Sequence, residues 1–296
     1  MEVFGCNAVV TGGGSGIGRS IALALADAGV NVVVADIELD VAEAVALEIR
    51  QRGVRALAVR TDVSQLADVE KLAQVAYDEF GTIEILINNA GATLRPFRAS
   101  WDTSYEDFQW LMNVNFWGVL HGHHVFVPRM RLTAGEKQIV NTSSMASLTS
   151  IAGHSAYTAS KSAVDGFSHA AREELRTQGI GVSILHPGPV RTRIVSSERL
   201  RDASECSQTR GVKPWSDYVL ASSNVNSNMA SQEQIEPDPD VASGPLVYIT
   251  PENVGAWVLA GIKENKPHIL THPAPVDVLQ SRTDSIIAGA PARTER

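Results

Sequence analysis

Thr11-Gly12-Gly13-Gly14-Ser15-Gly16-Ile17-Gly18 is the stretch on which the fold turns. It ends the apolar run Asn7 to Thr11 and leads into Gly16 to Ala28, where Ile17, Ile21 and Leu25 recur every fourth residue and share one helical face. Gly29 stands where a left-handed residue closes such a helix. A strand, a glycine turn and a helix in that order form a cradle for phosphate, because the helix start presents N–H groups and the positive end of its dipole. Glycines allow the backbone to approach the phosphate and supply the positive φ that the turn requires. A glycine cluster alone is also what a plain flexible turn contains, so its surroundings decide.

Outward from this turn, short apolar runs alternate with longer amphipathic segments as far as about residue 190, the pattern of βαβ units around a parallel sheet. The runs Asn7 to Thr11, Asn31 to Ala35, Ala56 to Arg60, Glu84 to Asn88, Gln138 to Thr142 and Gly181 to His186 are rich in Val and Ile and read as buried strands. The expected fold is α/β, a doubly wound parallel sheet. Residues 102–131 and 154–178 read as two long helices without an interior breaker; such apolar faces suit a subunit contact, hence a homodimer or homotetramer. Residues 193–245 are polar and aperiodic, which suits a functional lid or a solvated loop. Pro251 to Lys263 resumes a helical pattern with Pro in its first turn, His268 to Thr271 reads as a closing strand, and 280–296 as a polar tail.

The 296 residues carry 25 basic and 33 acidic side chains, a net charge of −8. That balance repels nucleic acid and anionic membrane surfaces, so a small-molecule partner is expected. At 44% apolar and 20% charged, the composition is that of an ordinary globular protein. Cys6 and Cys206 are too few for a disulfide framework, and neither they nor His121, His123 and His124 have metal-ligand spacing. A reducing, cytoplasmic setting without a metal is expected. Neither a signal peptide nor a run of about eighteen apolar residues is readable.

Asp36 ends the run Val32-Val33-Val34-Ala35, eighteen residues after Gly18. A carboxylate there accepts hydrogen bonds from the adenosine ribose hydroxyls and repels a 2′-phosphate. Ser15 stands where a basic residue would favour NADP, so both positions point to NAD. Further along, Tyr157 and Lys161 lie four apart on the second long helix and project from one face, with Ser144 preceding them. Oxidising a secondary alcohol needs a base for the hydroxyl proton as hydride leaves, yet a free tyrosine titrates near about 10. The Lys161 ammonium and a positive nicotinamide ring are expected to pull that value down, since nearby opposite charge favours tyrosinate. An isolated Tyr-x-x-x-Lys is usually a surface pair; after a dinucleotide turn it reads as a proton relay, with Ser144 holding the substrate oxygen.

With these residues in this order, the chain resembles the classical branch of the short-chain dehydrogenase/reductase family over about residues 5–195. Its glycines, Gly12, Gly16 and Gly18, follow the family's G-x-x-x-G-x-G spacing. The resemblance implies a Rossmann fold, with Gly12, Ser15, Gly16, Ile17 and Gly18 at the dinucleotide. Asp62 and Val63 are then the pair at the adenine ring, and Asn89, Ala90 and Gly91, following Asn88, back the adenine side. Asn115 matches an asparagine that holds a water linking the lysine to bulk solvent. Ser144 rather than Ser143 stands at the family distance, thirteen residues before Tyr157. Tyr157 and Lys161 also contact the cofactor, and Pro187, Gly188, Val190 and Thr192 match the segment that orients the nicotinamide carboxamide. Nucleotide and catalytic candidates interleave along the chain, so 1–296 is expected to be one domain with 193–245 as its substrate loop.

Substrate choice is expected to reside in that loop, in Ala92-Thr93-Leu94-Arg95 and just after Ser144, with Leu94, Met145, Trp215 and Tyr218 lining an apolar pocket. Such a pocket suits a bulky, largely apolar secondary alcohol or ketone. Val114 to Met130, the long loop and Pro251 to Pro273 are similar to short-chain dehydrogenases that oxidise benzylic alcohols in lignin-derived aryl ethers, which implies a benzylic substrate. Two alternatives stand beside this: a ketone reductase or dehydrogenase of steroid, sugar or acyl substrates, and a nucleotide-sensing regulator that binds cofactor without reacting. Asp36 argues against an NADPH-driven reductase, and intact Asn115, Ser144, Tyr157 and Lys161 argue against the regulator. His154 either touches substrate or caps its helix, and His121, His123 and His124 are expected to face a partner subunit.

Overall fold

The computed structural model describes residues 1–149, 151–201, 213–222 and 248–291. Residues 202–212 and 223–247 of the expected substrate loop, with Cys206 among them, lie outside the described residues, as do 292–296 of the expected tail. Strands β1 (Asn7–Thr11), β2 (Asn31–Asp36), β3 (Ala56–Arg60), β4 (Ile85–Asn88), β5 (Lys137–Thr142), β6 (Ile180–His186) and β7 (His268–Leu270) form one parallel sheet. Their order is β3-β2-β1-β4-β5-β6-β7, a doubly wound sheet of Rossmann type.

Alternation along the strands explains how both faces are covered. Ala8, Val10, Val32 and Val34 pack on α1 (Gly16–Asp27), α2 (Leu39–Arg50) and, from the far end of the chain, α9 (Glu252–Lys263). Val9 and Val33 point the other way, onto Leu72 and Ala76 of α3 (Leu66–Phe80), Phe126 of α5 (Gly118–Met130) and Ala171 of α7 (Ser155–Arg176). Strands covered on both sides carry continuous apolar runs, which is why the sequence displayed them so clearly. Around β1 the strand order reverses, and a crevice opens beyond the carboxyl ends of β1 and β4.

Three expectations are corrected. The helix expected over 102–131 starts at Tyr105 and is not uniform: α4 (Tyr105–Met112) passes through a π-helical turn, Asn113–Trp117, into α5. A π turn leaves no mark in an apolar period, because it adds only one residue to a single turn. Residues 280–288 are helical, the larger part of α10 (Val276–Ala288), rather than tail. None of α10 is buried, so it has no core-facing stripe to read; Gln280 donates to Asp284 one turn on, at 2.8 Å. Within the expected loop, Arg193–Leu200 forms a 3₁₀ segment and Trp215–Ser222 an α-helix, α8; the remaining short helix, α6, is Met145–Leu148.

Among the described residues no helix is long and apolar enough to cross a membrane, and no group of three His, Cys, Asp or Glu residues could hold a metal.

Candidate active site

A cavity of about 1580 Å³ lies along the carboxyl ends of the strands, and all the expected cofactor residues line it. The glycine turn forms one wall. Gly12 has φ +61°, and a Cβ on it would stand 2.8 Å from Ala90 Cα. Gly18, in the first turn of α1, lies so close to the turn that its Cβ would meet the Gly12 carbonyl oxygen at 2.0 Å. The loop is folded tightly back on itself, which delivers the start of α1 to the cavity. Ser15 is the N-cap residue without a capping side-chain hydrogen bond, and no acidic residue occupies the first turn. The positive end of the helix dipole therefore faces the cavity with no side chain cancelling it.

Asp36 completes this wall at the end of β2. Its Oδ2 accepts the Gly14 N–H at 2.9 Å and its Oδ1 the Glu38 N–H at 3.1 Å. Burial pushes its carboxyl up, and these two hydrogen bonds pull it back. A glycine cradle that a Cβ would fill, a helix start and a carboxylate beside it match the needs of a pyrophosphate and a ribose diol, so the residues fit NAD. Asn89 contributes indirectly, for its Nδ2 donates to the carbonyls of Thr11 at 3.1 Å and Gly12 at 3.3 Å and ties β4 to the turn. Val63 is held by His121, whose Nδ1 lies 2.9 Å from its carbonyl. On the opposite side Gly188 N–H donates to Thr271 Oγ1 at 2.9 Å, and Thr192 packs its methyl against Gly16.

The chemistry-bearing residues converge at the other end. Ser144 caps α6, its Oγ accepting the Ala146 N–H at 3.1 Å, and it shares a hydrogen bond with Tyr157. Tyr157 and Lys161 come from successive turns of α7; Lys161 Nζ donates to the Thr142 carbonyl at 2.9 Å and lies 5.8 Å from the Tyr157 ring centroid. Asn115 sits in the π turn, fully buried and off the cavity wall. It bonds both backbone atoms of Ala92, accepting at 2.8 Å and donating at 3.0 Å, and donates to Ser160 Oγ at 2.9 Å. A Cβ on Gly91 would stand 3.2 Å from Asn115 Oδ1 and 3.3 Å from Lys161 Nζ, so glycine leaves room between these two groups.

The electrostatics differ from expectation. Burial dominates and pushes the Tyr157 phenol up, opposed by the Ser144 hydrogen bond and the positive charge of Arg95 rather than by Lys161. Burial also brings Lys161 down to about 8. The correction has a plain cause: two groups desolvated together both resist ionising.

His154 is the N-cap residue of α7, without a capping side-chain hydrogen bond, and its ring lines the cavity. Its ring lies parallel to Tyr157, centroids 4.5 Å apart and 9° between planes, while Phe97 covers its other face at 4.4 Å and Thr93 Oγ1 meets its Nε2 at 2.9 Å. Burial lowers its pKa to about 3, so it is neutral in the working range. Of the four residues expected in the substrate pocket, Met145 lines the cavity. Leu94 is buried behind it with Leu111 and Ala146. Trp215 and Tyr218 of α8 do not line the cavity; they pack around Trp101 behind Phe97, and Tyr218 donates to Asp102. The apolar wall comes instead from Phe97, Trp110, Val114, Ile151, Val276 and Val278, contributed by segments far apart in sequence. His123 is also reassigned from a subunit face, being buried against Asn141 with 3.0 Å between His123 Nε2 and Asn141 Nδ2.

Comparison with known proteins then identifies the scaffold. The family model for short chain dehydrogenases matches residues 6–203. The chain is a member of the short-chain dehydrogenase family. This dehydrogenase is 38% identical to a cyclohexanol dehydrogenase of Acinetobacter sp. (strain SE19) over 189 residues, 64% of its own length and 74% of the relative's. A short chain dehydrogenase/reductase from Burkholderia phymatum, solved in complex with NAD, aligns over 100% of this dehydrogenase and 99% of that chain, with 31% identity and a TM-score of 0.83. LigO of Sphingobium sp. strain SYK-6, in its apo form, aligns over 97% of this dehydrogenase and 89% of its own chain, with 25% identity and a TM-score of 0.72. That likeness supports the resemblance to aryl-ether dehydrogenases. The dehydrogenase is an oxidoreductase acting on CH–OH groups.

Proposed function

We propose that the protein oxidises a bulky, aromatic secondary alcohol of the benzylic type to its ketone, with NAD as cofactor and Tyr157 as base. The observation that carries this reading is a single cavity that begins at Asp36, passes the glycine turn and ends between Ser144, Tyr157 and an apolar, aromatic wall. The glycine turn, Asp36 and the Pro187 to Thr192 segment would hold NAD, which would supply the acceptor for the hydride of the carbinol carbon. Tyr157 Oη takes the hydroxyl proton, and Ser144 Oγ holds the oxygen as it becomes a carbonyl. Lys161 Nζ stands beside the Tyr157 ring, where it can pass the proton on, while Asn115 fixes the Ala92 backbone and flanks the space above Gly91 through which the proton departs. Asp36 receives the ribose hydroxyls and disfavours a 2′-phosphate.

Phe97, Trp110 and Met145 support a bulky aryl substrate, because they make this part of the cavity lining apolar. The similarity to a cyclohexanol dehydrogenase favours a second reading, an alicyclic secondary alcohol. A panel of benzylic β-aryl-ether alcohols, alicyclic alcohols and acyl thioesters, followed by NADH absorbance, separates these; turnover confined to thioesters would overturn both. One domain, a homodimer or homotetramer and a cytoplasmic setting complete the proposal. Exposed Ile286 and Ile287 on α10 support association, which light scattering measures.

A further inference from the structure

The adenosine end of the cavity contains more than one carboxylate. Two residues beyond Asp36, Glu38 receives two guanidinium groups on one oxygen: Arg199 NH2 donates to Oε2 at 2.6 Å and Arg193 NH2 at 3.1 Å. Both arginines belong to the 3₁₀ segment that follows β6, more than 150 residues away in sequence, and all four side chains line the cavity. Thr192 fixes the position of this segment by packing against Gly16, so Arg193 and Arg199 are brought to the ribose site by the fold. The charge of Arg193 is felt at Asp36, where it counteracts burial. The one other cation on this wall, among the described residues, is Arg60, which stands opposite Asp36 on β3 and pairs with Asp68 at 3.6 Å.

Arginine is the side chain best suited to a phosphate, because its planar fork donates two parallel hydrogen bonds. Two arginines beside a ribose site would therefore accept a 2′-phosphate, which carries about −1.5 to −2 charges. In this protein Asp36 and Glu38 together cancel Arg193 and Arg199. Removing one carboxylate leaves a net positive site.

We propose that Glu38 is a second determinant of dinucleotide choice: it engages Arg193 and Arg199 in ion pairs and so denies them to a 2′-phosphate, while Asp36 repels that phosphate directly. This rests on the NAD site described above. It differs from a structural tether in one respect: loosening a tether alters NAD and NADP alike, whereas releasing two phosphate-binding arginines changes their ratio.

Calorimetric titration of the full chain with NAD and with NADP, for the wild type, Glu38→Gln and the triple variant Glu38→Gln/Arg193→Gln/Arg199→Gln, tests it. Glutamine keeps the size of the side chain and removes its charge. The expected result is about a tenfold shift of the Kd ratio toward NADP in Glu38→Gln, reversed in the triple variant and weakened by added salt. A ratio unchanged in Glu38→Gln, or a shift that persists in the triple variant, overturns the inference while the NAD reading stands. A wild type that binds neither dinucleotide, or that prefers NADP, overturns both.

Discussion

Tyr157, the proposed base, combines a favourable position with an unfavourable environment. Its position between Ser144 and Lys161 suits proton transfer, yet burial favours the neutral phenol. Removing the hydroxyl tests the role: Tyr157→Phe is expected to lower kcat by about 10²–10⁴, the usual contribution of a positioned acid or base, while NAD binding by calorimetry changes little. Retention of most activity would remove Tyr157 as base. His154, stacked against it, carries a pH signature. Its folded pKa of about 3 lies below the unfolded value of 6.5, so between those values the unfolded chain binds a proton that the native one does not, and stability falls as pH falls. The slope is about 1.4 kcal/mol per pH unit, or about 2 kcal/mol between pH 6.5 and 5. His154→Phe keeps the stack and abolishes the titration. Urea unfolding at the two pH values should show a smaller acid loss for the variant by about that amount, and equal losses would show that the ring is solvated.

At the scale of elements, close helix packing fixes α1, whose start forms a wall of the cavity. α9 lies against α1 where Gly255 meets Ser20: its N–H donates to Ser20 Oγ at 3.0 Å, and Ser20 Oγ donates to the Glu252 carbonyl at 3.1 Å. A Cβ on Gly255 would stand 2.2 Å from the Ser20 carbonyl oxygen. Gly255→Ala is therefore expected to cost about 1–3 kcal/mol by forcing the helices apart, seen as a lower denaturant midpoint with an unchanged slope. The apolar spacing of α9 was legible; its partner was not, because a glycine contact leaves no period. The π turn is similar. Sequence alone marks Asn115 as special through the family resemblance, but only the structure places it in that turn, bonded to Ala92 and Ser160.

Over the whole molecule, a buried charge cluster anchors the segment that carries Arg193 and Arg199. Asp107 of α4 is fully buried and receives Arg98 and, at 2.5 Å, Arg201. Arg98 also reaches Glu198 at 3.3 Å. Asp107→Asn leaves two guanidinium groups short of their shared counter-charge and is expected to cost about 3–5 kcal/mol in chemical denaturation; a loss below about 1 kcal/mol would mean that water compensates them. This cluster, the Glu38 ion pairs and the aromatic wall were not readable in advance. Local backbone order is: strands buried on both faces carry unbroken Val and Ile runs, a helix repeats every 3.6 residues, and a phosphate turn requires glycine where a Cβ would clash. Those constraints act between near neighbours, so the sequence by itself determined the sheet, the dinucleotide turn and the placement of Tyr157 and Lys161 on one face of a helix. Pairings such as Glu38 with Arg199, or Trp110 and Val276 lining one cavity, join segments with no shared period and no fixed spacing. Only the tertiary structure decided them, because a side-chain contact between remote segments depends on how whole elements pack and not on the residues beside it in the chain.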